Sequence, residues 1–195
     1  MQFTTDNLNS LEKRYRANLV NSLSGAKSAN LIGTQNVDGK PNLAMFSSAF
    51  HLGANPALMG LISRPNSVPR HTLENIHKTG YYTVNHVTEA FYEQAHLTSA
   101  RTEKSEFELA GLTAHYEEGI QAPFVAESPL KIGLKWVRTV DIEENGTHLV
   151  IGEIVFVGLP EGCLESDGTV DIQRVGSLAV TGLDTYHSLK RIWIK

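Results

Sequence analysis

"NLAMFSSAFHLGANPALMGLISRP", residues 42–65, is the stretch of the chain that decides the predicted fold. It contains two apolar runs, 42–50 and 56–63, separated by the bend GANP. Runs of this length, bounded by turn residues, are typical of buried β-strands rather than of helices. The stretch therefore predicts two strands that follow each other closely in the chain.

The segments on either side add further strands. Upstream, the run 28–35 is joined to the first of these strands through Asp38-Gly39, a dipeptide typical of hairpin turns. Downstream, strand patterns cover 81–87, 132–142 and 148–159. About seven strands, without the regular strand and helix alternation of a parallel sheet, predict a mainly β fold, a small closed antiparallel barrel with helical insertions. An open α+β sheet is the alternative.

Helical patterns interrupt the strands at three places. The predicted helices cover 7–24, 68–78 and 88–110. Gly80 ends the second helix, and Ser105 caps the last part of the third. We expect a single domain over residues 1–195, with 1–25 as an N-terminal helical arm.

Composition excludes several classes of protein. The net charge of −4 argues against the broad basic surface that nucleic-acid binding requires. The first residues, MQFTTDNLNSLEKRY, do not show the basic and then apolar pattern of a secretory leader, and no apolar run is long enough to cross a membrane. Its single cysteine, Cys163, allows neither an intrachain disulfide nor a cysteine-based zinc site. We therefore expect a cytoplasmic protein with neither nucleic acid nor membrane as a partner.

Standard catalytic motifs are missing from the sequence. It contains no G-x-S-x-G elbow, no P-loop and no G-x-G-x-x-G fingerprint. None of its eight histidines forms an H-x-H or H-E-x-x-H pair. We therefore predict no metal site and assign no catalytic side chain.

One candidate site is the start of the second helix, in "RPNSVPRHTLEN", residues 64–75. Ser67 can cap this helix, and Pro69 is tolerated in a first turn, where its missing N–H has no intrahelical partner. The residues that follow lie among the free backbone donors of the helix start, which carries a partial positive charge. The segment therefore has the features of an anion site.

The side chains of this segment favour a phosphate. Arg70 and the Thr72 hydroxyl, with His71 between them and Arg64 as a second cation, would suit a phosphate monoester. The alternative is an ordinary surface helix in which Arg70 and Glu74 pair four residues apart.

A second candidate is the end of the run 42–50. There Ser47, Ser48 and Ala49 follow Phe46 as a group of small residues. Small residues at a strand end let a flat ligand approach the backbone, and serine hydroxyls can bind phosphate or ring heteroatoms. The alternative is a sheet edge whose small residues serve packing.

Taken in order, these segments resemble the flavin reductase-like family of FMN-binding split-barrel proteins. The resemblance covers roughly residues 26–160 and lies in the order and spacing of its motifs. The motifs are "NLAMFSSAFHLGANPALMGLISRP", "RHTLENIHKTGYYTVNHV", "SEFELAGLTAH", "ESPLKI" and "HLVIGEIV".

The resemblance implies a homodimer of six-stranded antiparallel Greek-key split barrels, with FMN in the dimer cleft. It places the segment from Phe46 to Ala49 against the flavin, and Arg70 and Thr72 at the phosphate. Many members have aspartate where this chain has His71, so this residue is a member of the expected site without an assigned role. Arg64 is added on its charge alone.

The resemblance also implies the activity. FMN itself accepts a hydride and passes electrons on, which explains why no catalytic side chain is found. The expected function is an FMN-binding oxidoreductase in which NAD(P)H reduces FMN, and electrons then pass to a flavin, a metal complex or a small organic molecule. The alternatives are an FMN-holding electron carrier that does not use a nicotinamide directly, and a non-enzymatic barrel that binds another phosphorylated ligand.

Overall fold

The structure, a computed structural model, describes residues 1–65, 70–99 and 105–192. Its helices are α1 (Thr5–Ser10), α2 (Lys13–Leu23), α3 (His71–Thr79), α4 (Tyr92–Leu97), α5 (Glu106–Ala110) and α6 (Ile172–Val175). Its strands are β1 (Lys27–Ser28), β2 (Asn30–Gln35), β3 (Pro41–Phe46), β4 (Ala49–Ala54), β5 (Ala57–Ser63), β6 (Tyr81–His86), β7 (Ala114–His115), β8 (Phe124–Val125), β9 (Lys131–Ile142), β10 (Thr147–Gly158), β11 (Leu178–Thr181) and β12 (Thr185–Ser188).

The main sheet has seven strands in the order β3-β2-β6-β9-β10-β5-β4, and all its neighbours are antiparallel. Its two edge strands, β3 and β4, are consecutive in the chain and are separated only by Ser47 and Ser48. The sheet must therefore curl until its edges meet. Counted as one bent strand, β3 and β4 give the six strands that the resemblance implies. The prediction of a mainly β antiparallel barrel is confirmed.

The hairpin between β2 and β3 forms where the sequence predicts it. Gly39 has a positive φ of 78°, which suits glycine because it has no Cβ. The Asn36 side-chain oxygen accepts the backbone N–H groups of Asp38 at 3.0 Å and Lys40 at 2.8 Å. Asn36 thus completes the turn from its own side chain.

The run 42–50 was predicted as one strand, but in the structure it contains most of β3 and the start of β4, with a break at Ser47 and Ser48. The sequence indicates a bend soon after Phe50, whereas β4 continues to Ala54. Ala54 pairs with Ala57 of β5, and the turn between them contains a cis peptide bond before Pro56. Pairing with β5 therefore extends the strand into the predicted bend.

The strand β2 separates two cores, because successive side chains of a strand point to opposite faces. Leu31 belongs to an outer core, which β2 and β3 share with α4 and α5. Ile32 belongs to the barrel core, whose buried members are Ile32, Ala49, Leu61, Leu73, Ile76, Tyr82, Val84, Leu134 and Val150. Both faces of β2 are therefore buried.

Helix α3 crosses one end of the barrel on its way from β5 to β6 and lies against β2 and β3. Leu73 and Ile76 anchor it in the barrel core. Gly80 ends it in the left-handed conformation with φ 77°, as predicted. The predicted start at 68, the Ser67 cap and Pro69 lie outside the described residues.

The N-terminal arm is two helices rather than the one predicted. The Glu12 carboxylate accepts the backbone N–H groups of Arg14 at 2.8 Å and Tyr15 at 2.9 Å, so it caps a new helix after α1 has ended. These hydrogen bonds also lower the pKa of Glu12. Neither α1 nor α2 contains a buried residue.

The third predicted helix is also divided. Within 88–110 the described residues form α4 and α5 as separate short helices. Ser105 occupies the N-cap position of α5, but its side chain makes no capping hydrogen bond, contrary to the prediction. In the described part of the chain, every helix is too short or too polar to cross a membrane.

Candidate functional site

The first turn of α3 places Thr72 against strand β3. The Asn42 side-chain amide donates a hydrogen bond of 3.2 Å to the Thr72 hydroxyl oxygen. Because an amide N–H can only donate, the hydrogen of the Thr72 hydroxyl is not used in this contact. Thr72 therefore keeps a donor that an anion at the helix start could accept.

The support for this contact extends into the barrel. Asn42 also donates to the Thr34 hydroxyl oxygen at 3.2 Å, and Asn75 donates to the same oxygen at 3.2 Å. Thr34 is fully buried, and Asn42 and Asn75 are nearly so. We call Thr34, Asn42, Thr72 and Asn75 the buried amide network.

The helix start also presents backbone donors and cations. Arg70 is the N-cap residue of α3, and its carbonyl accepts the N–H of Glu74 at 3.0 Å. The N–H groups before Glu74 have no partner within the helix ladder. The Arg70 Nε donates to the Pro65 carbonyl at 3.1 Å, which ties Arg70 to the residue after the exposed Arg64. Backbone donors, the Thr72 hydroxyl and the Arg70 side chain thus lie at one helix start.

The break between β3 and β4 forms the second part of the site. Ser48 is tied to β5, because its carbonyl accepts the Ile62 N–H at 3.2 Å and its hydroxyl donates to the Ile62 carbonyl at 2.9 Å. Arg64 follows Ile62 by two residues, about 7 Å of extended chain. Ser48 is therefore tied to the strand that leads into Arg64.

The spacing of the two parts suits a long ligand with a phosphate at one end. Along β3, Asn42 and Phe46 are four residues apart, about 13 Å of strand. An FMN whose phosphate meets Thr72 could place its ring beside the segment that begins at Phe46. The unused Thr72 hydrogen, the helix-start donors and the small serines fit such a ligand.

The predicted site residues do not all have the same surroundings. Ala49 is buried in the barrel core, and Phe46 packs partly against that core. His71 is exposed on the first turn of α3, and Ser47 is half-buried. The structure thus brings Thr72 and Arg70 to one helix start and leaves His71 at the surface.

The other half of α3 carries a titratable contact. The His77 Nε2 lies 2.7 Å from the Thr139 hydroxyl, and its ring is centred 5.1 Å from that of Trp136. Burial lowers the pKa of His77, and nearby His148 lowers it further, while Asp141 opposes them. His148 itself pairs with Asp141 at 2.7 Å.

Another titratable contact involves His86, a partly buried histidine at the opposite end of the barrel. His86 pairs with Asn30 across β2 and β6, and its Nδ1 lies 2.9 Å from the Ser177 hydroxyl. Burial lowers the pKa of His86 to about 4. The Asn30 side-chain oxygen is buried and has no hydrogen-bond partner among the described residues.

Reasoning from the sequence missed Asn42, Asn75 and Thr34. A usable signal exists, because Thr34 lies two residues after the inward-facing Ile32 and so must point into the barrel as well. A polar residue at an inward position needs a hydrogen-bond partner. This requirement, applied along β2, indicates a polar cluster under α3.

The chain matches the model of the flavin reductase like domain over residues 26–175. Among solved structures, one of a protein assigned as a flavin reductase with a split barrel domain, from Shewanella frigidimarina NCIMB 400, is 50% identical to this chain. That match has a TM-score of 0.95 and covers 100% of this chain and 98% of the other.

Two more distant structures share the fold. Nitrilotriacetate monooxygenase component B from Bacillus cereus is 20% identical, with a TM-score of 0.87 and coverage of 100% of this chain and 98% of that one. Flavoredoxin of Desulfovibrio vulgaris (Miyazaki F) is 22% identical, with a TM-score of 0.76 and coverage of 100% and 97%. With the family model matching most of its length, the chain belongs to the flavin reductase-like family.

Proposed function

We propose that this protein is an FMN-binding oxidoreductase of the flavin reductase type, in which NAD(P)H reduces FMN and the electrons pass to a flavin, a metal complex or a small organic molecule. The observation that carries the proposal is the helix start of α3, where Asn42 holds Thr72 through a contact that does not use the Thr72 hydrogen, two residues after the N-cap Arg70. Family membership supports a flavin as the ligand.

In this proposal the residues of the chain bind and orient the cofactor. Thr72, Arg70 and the backbone donors of α3 hold the phosphate, and Arg64 adds a second cation. Ser47 and Ser48, with the backbone of Phe46 and Ala49, border the ring. The hydride-transfer and electron-transfer chemistry would be that of the bound FMN. His71 lies on the exposed side of the same turn.

The phosphate contacts can be tested by removing them together. We expect the double variant Arg70→Ala/Thr72→Ala to lose FMN affinity, since each polar contact to a charged group contributes about 1.5 to 3 kcal/mol. Titration calorimetry measures the affinity. Lys78→Ala removes a cation from the far end of the same helix and should change little. Unchanged FMN affinity in the double variant would place the phosphate elsewhere.

The electron donor requires a separate experiment. We expect anaerobic NADH or NADPH to bleach the absorbance of bound FMN. A flavin that binds but bleaches with neither donor would instead favour an electron carrier, an alternative consistent with the name of the similar flavoredoxin. A protein that does not bind FMN would favour a barrel for another phosphorylated ligand.

We further propose a homodimer with FMN at its cleft. The hairpin of β9 and β10 leaves Val137, Val140, Val155 and Val157 exposed, which supports an apolar contact with a second copy. Two clefts within one chain, of about 270 and 460 Å³, are lined by other residues than those predicted for FMN. Sedimentation at micromolar concentration should show a dimer, and a monomer alone would contradict the proposal.

A further inference from the structure

We propose that Asn42 sets the preference of this site for FMN over riboflavin, because it holds the Thr72 hydroxyl with its hydrogen free for the phosphate. This inference rests on the proposed function, which places the FMN phosphate at Thr72. Asn42 is a positioning residue here, since it acts through Thr72.

The two N–H bonds of the Asn42 amide have different partners. One donates to Thr72 and the other to Thr34, each at 3.2 Å. Both contacts use the donor end of the amide, so the Asn42 nitrogen is fully occupied by two hydroxyl oxygens. The amide therefore connects the surface hydroxyl to the barrel interior.

The direction of the Thr72 hydrogen follows from this arrangement. An oxygen that accepts from Asn42 cannot also donate to the same nitrogen. Its hydrogen must point elsewhere, and the helix start is where the backbone donors also converge on an anion. If the amide were reversed, its oxygen would take the Thr72 hydrogen and remove one phosphate contact.

The hydrogen bonds of this amide are shielded from water. Asn42 is only 9% exposed and Thr34 is fully buried, so water has little access to replace their hydrogen bonds. Asn75 also donates to Thr34. Reversal of Asn42 would bring its side-chain oxygen to both hydroxyls and change the hydrogen bonding of the whole buried amide network.

The chain offers a matched pair of variants. Asn42 and Asn75 are both buried and both donate to Thr34 at 3.2 Å, but of the two only Asn42 hydrogen-bonds to Thr72. Asn42→Ala and Asn75→Ala should therefore cost similar stability and differ in phosphate recognition. The affinity of each variant for FMN and for riboflavin, which lacks the phosphate, is measured by titration calorimetry.

We expect Asn42→Ala to lower the ratio of FMN affinity to riboflavin affinity about fivefold to tenfold, the effect of one hydrogen bond to a charged group. Asn75→Ala should leave the ratio within about twofold, because the Asn75 amide hydrogen-bonds to Thr34 and not to Thr72. An equal fall of the ratio in both variants would overturn the role of Asn42.

Thr72→Val separates this inference from the proposed function. We expect it to lower the ratio at least as far as Asn42→Ala, and the two substitutions together should lower it no further than Thr72→Val alone. An unchanged ratio in Thr72→Val would show that the phosphate placement itself is wrong. A lowered ratio in Thr72→Val, with none in Asn42→Ala, would overturn only the role of Asn42.

A second pair applies if Asn42→Ala does not fold, which circular dichroism would show. Asn42→Asp keeps the shape of the side chain but can only accept, so it takes the Thr72 hydrogen. Asn75→Asp adds the same charge at a position whose side chain hydrogen-bonds to Thr34 and not to Thr72. We expect a larger fall of the ratio for Asn42→Asp, and equal falls would overturn the inference.

Discussion

The two ends of the barrel are closed by polar side chains of the same strand, but in different ways. Asn30, Ile32 and Thr34 of β2 point into the barrel, with the apolar residue in the middle. At the α3 end, the Thr34 hydroxyl oxygen accepts two amide hydrogen bonds. At the opposite end, the Asn30 oxygen has no partner in the described part of the chain, and its neighbour across the sheet is His86.

The two ends therefore differ in how they respond to pH. The contacts of Thr34 are made by amides and hydroxyls, which keep their charge state over the ordinary pH range. His86 is buried and can gain a proton only at a cost. We therefore expect acid to weaken the fold from the His86 end and to leave the buried amide network largely unaffected.

The largest expected effect on stability comes from the protonation of His86. Its pKa of about 4 in the folded protein is below the ordinary histidine value, so the folded state binds fewer protons than the unfolded state as the pH falls. The contribution of neutral His86 to the free energy of unfolding is fully present above its pKa in the unfolded chain. This contribution amounts to about 3 kcal/mol and is lost as the pH falls from about 6.5 to about 4.

Urea unfolding at pH 7.5 and at pH 4.5 measures this loss in the wild type and in His86→Gln. Glutamine does not titrate, so most of the difference between the two pH values should disappear in the variant. The same pH dependence in both proteins would show that the acid sensitivity has another source.

A smaller effect is expected at the α3 end. Thr34→Val keeps the shape of the side chain but leaves two buried amide donors without their acceptor, which should cost about 2 kcal/mol. The cost should be equal at both pH values, because the lost hydrogen bonds are neutral. Thr113→Val, at an exposed position, is the matched control and should change stability by less than about 0.5 kcal/mol.

The smallest expected effect on stability concerns His77, a titratable side chain at the α3 end. Burial and the nearby His148 lower the pKa of His77, so protonation of His77 also opposes folding as the pH falls below its ordinary value. Its side chain is exposed, and solvent weakens such interactions. His77→Gln should reduce the loss of stability between pH 7.5 and pH 5.5 by less than His86→Gln does. A larger reduction in His77→Gln than in His86→Gln would show that the α3 end is the more acid-sensitive of the two.

The sequence predicted the parts of the fold that depend on local patterns. Asp38-Gly39 is a turn because Gly39 readily adopts a positive φ there, and Gly80 ends α3 for a similar local reason. The break in the arm at Glu12 was missed because the apolar spacing continues across it. A carboxylate within such a pattern can be recognised as a helix cap only when the structure shows where the helix breaks.

The candidate site was predicted in part for the same reason. Arg70 and Thr72 follow from the chemistry of a helix start, and the structure places them together at that start. Asn42 lies 30 residues before Thr72 in the chain, so their contact depends on how α3 crosses the barrel. The cofactor and its ligands remain predictions, and so does the dimer.

The N-terminal arm has a further consequence for how this protein can vary. The first buried side chain along the chain is Ala29, so α1 and α2 contribute no residue to either core. Selection on core packing therefore does not act on this segment, and its sequence and length can diverge faster among related proteins than those of the barrel. For the same reason, a fluorescent label attached there should leave the packing of the barrel undisturbed.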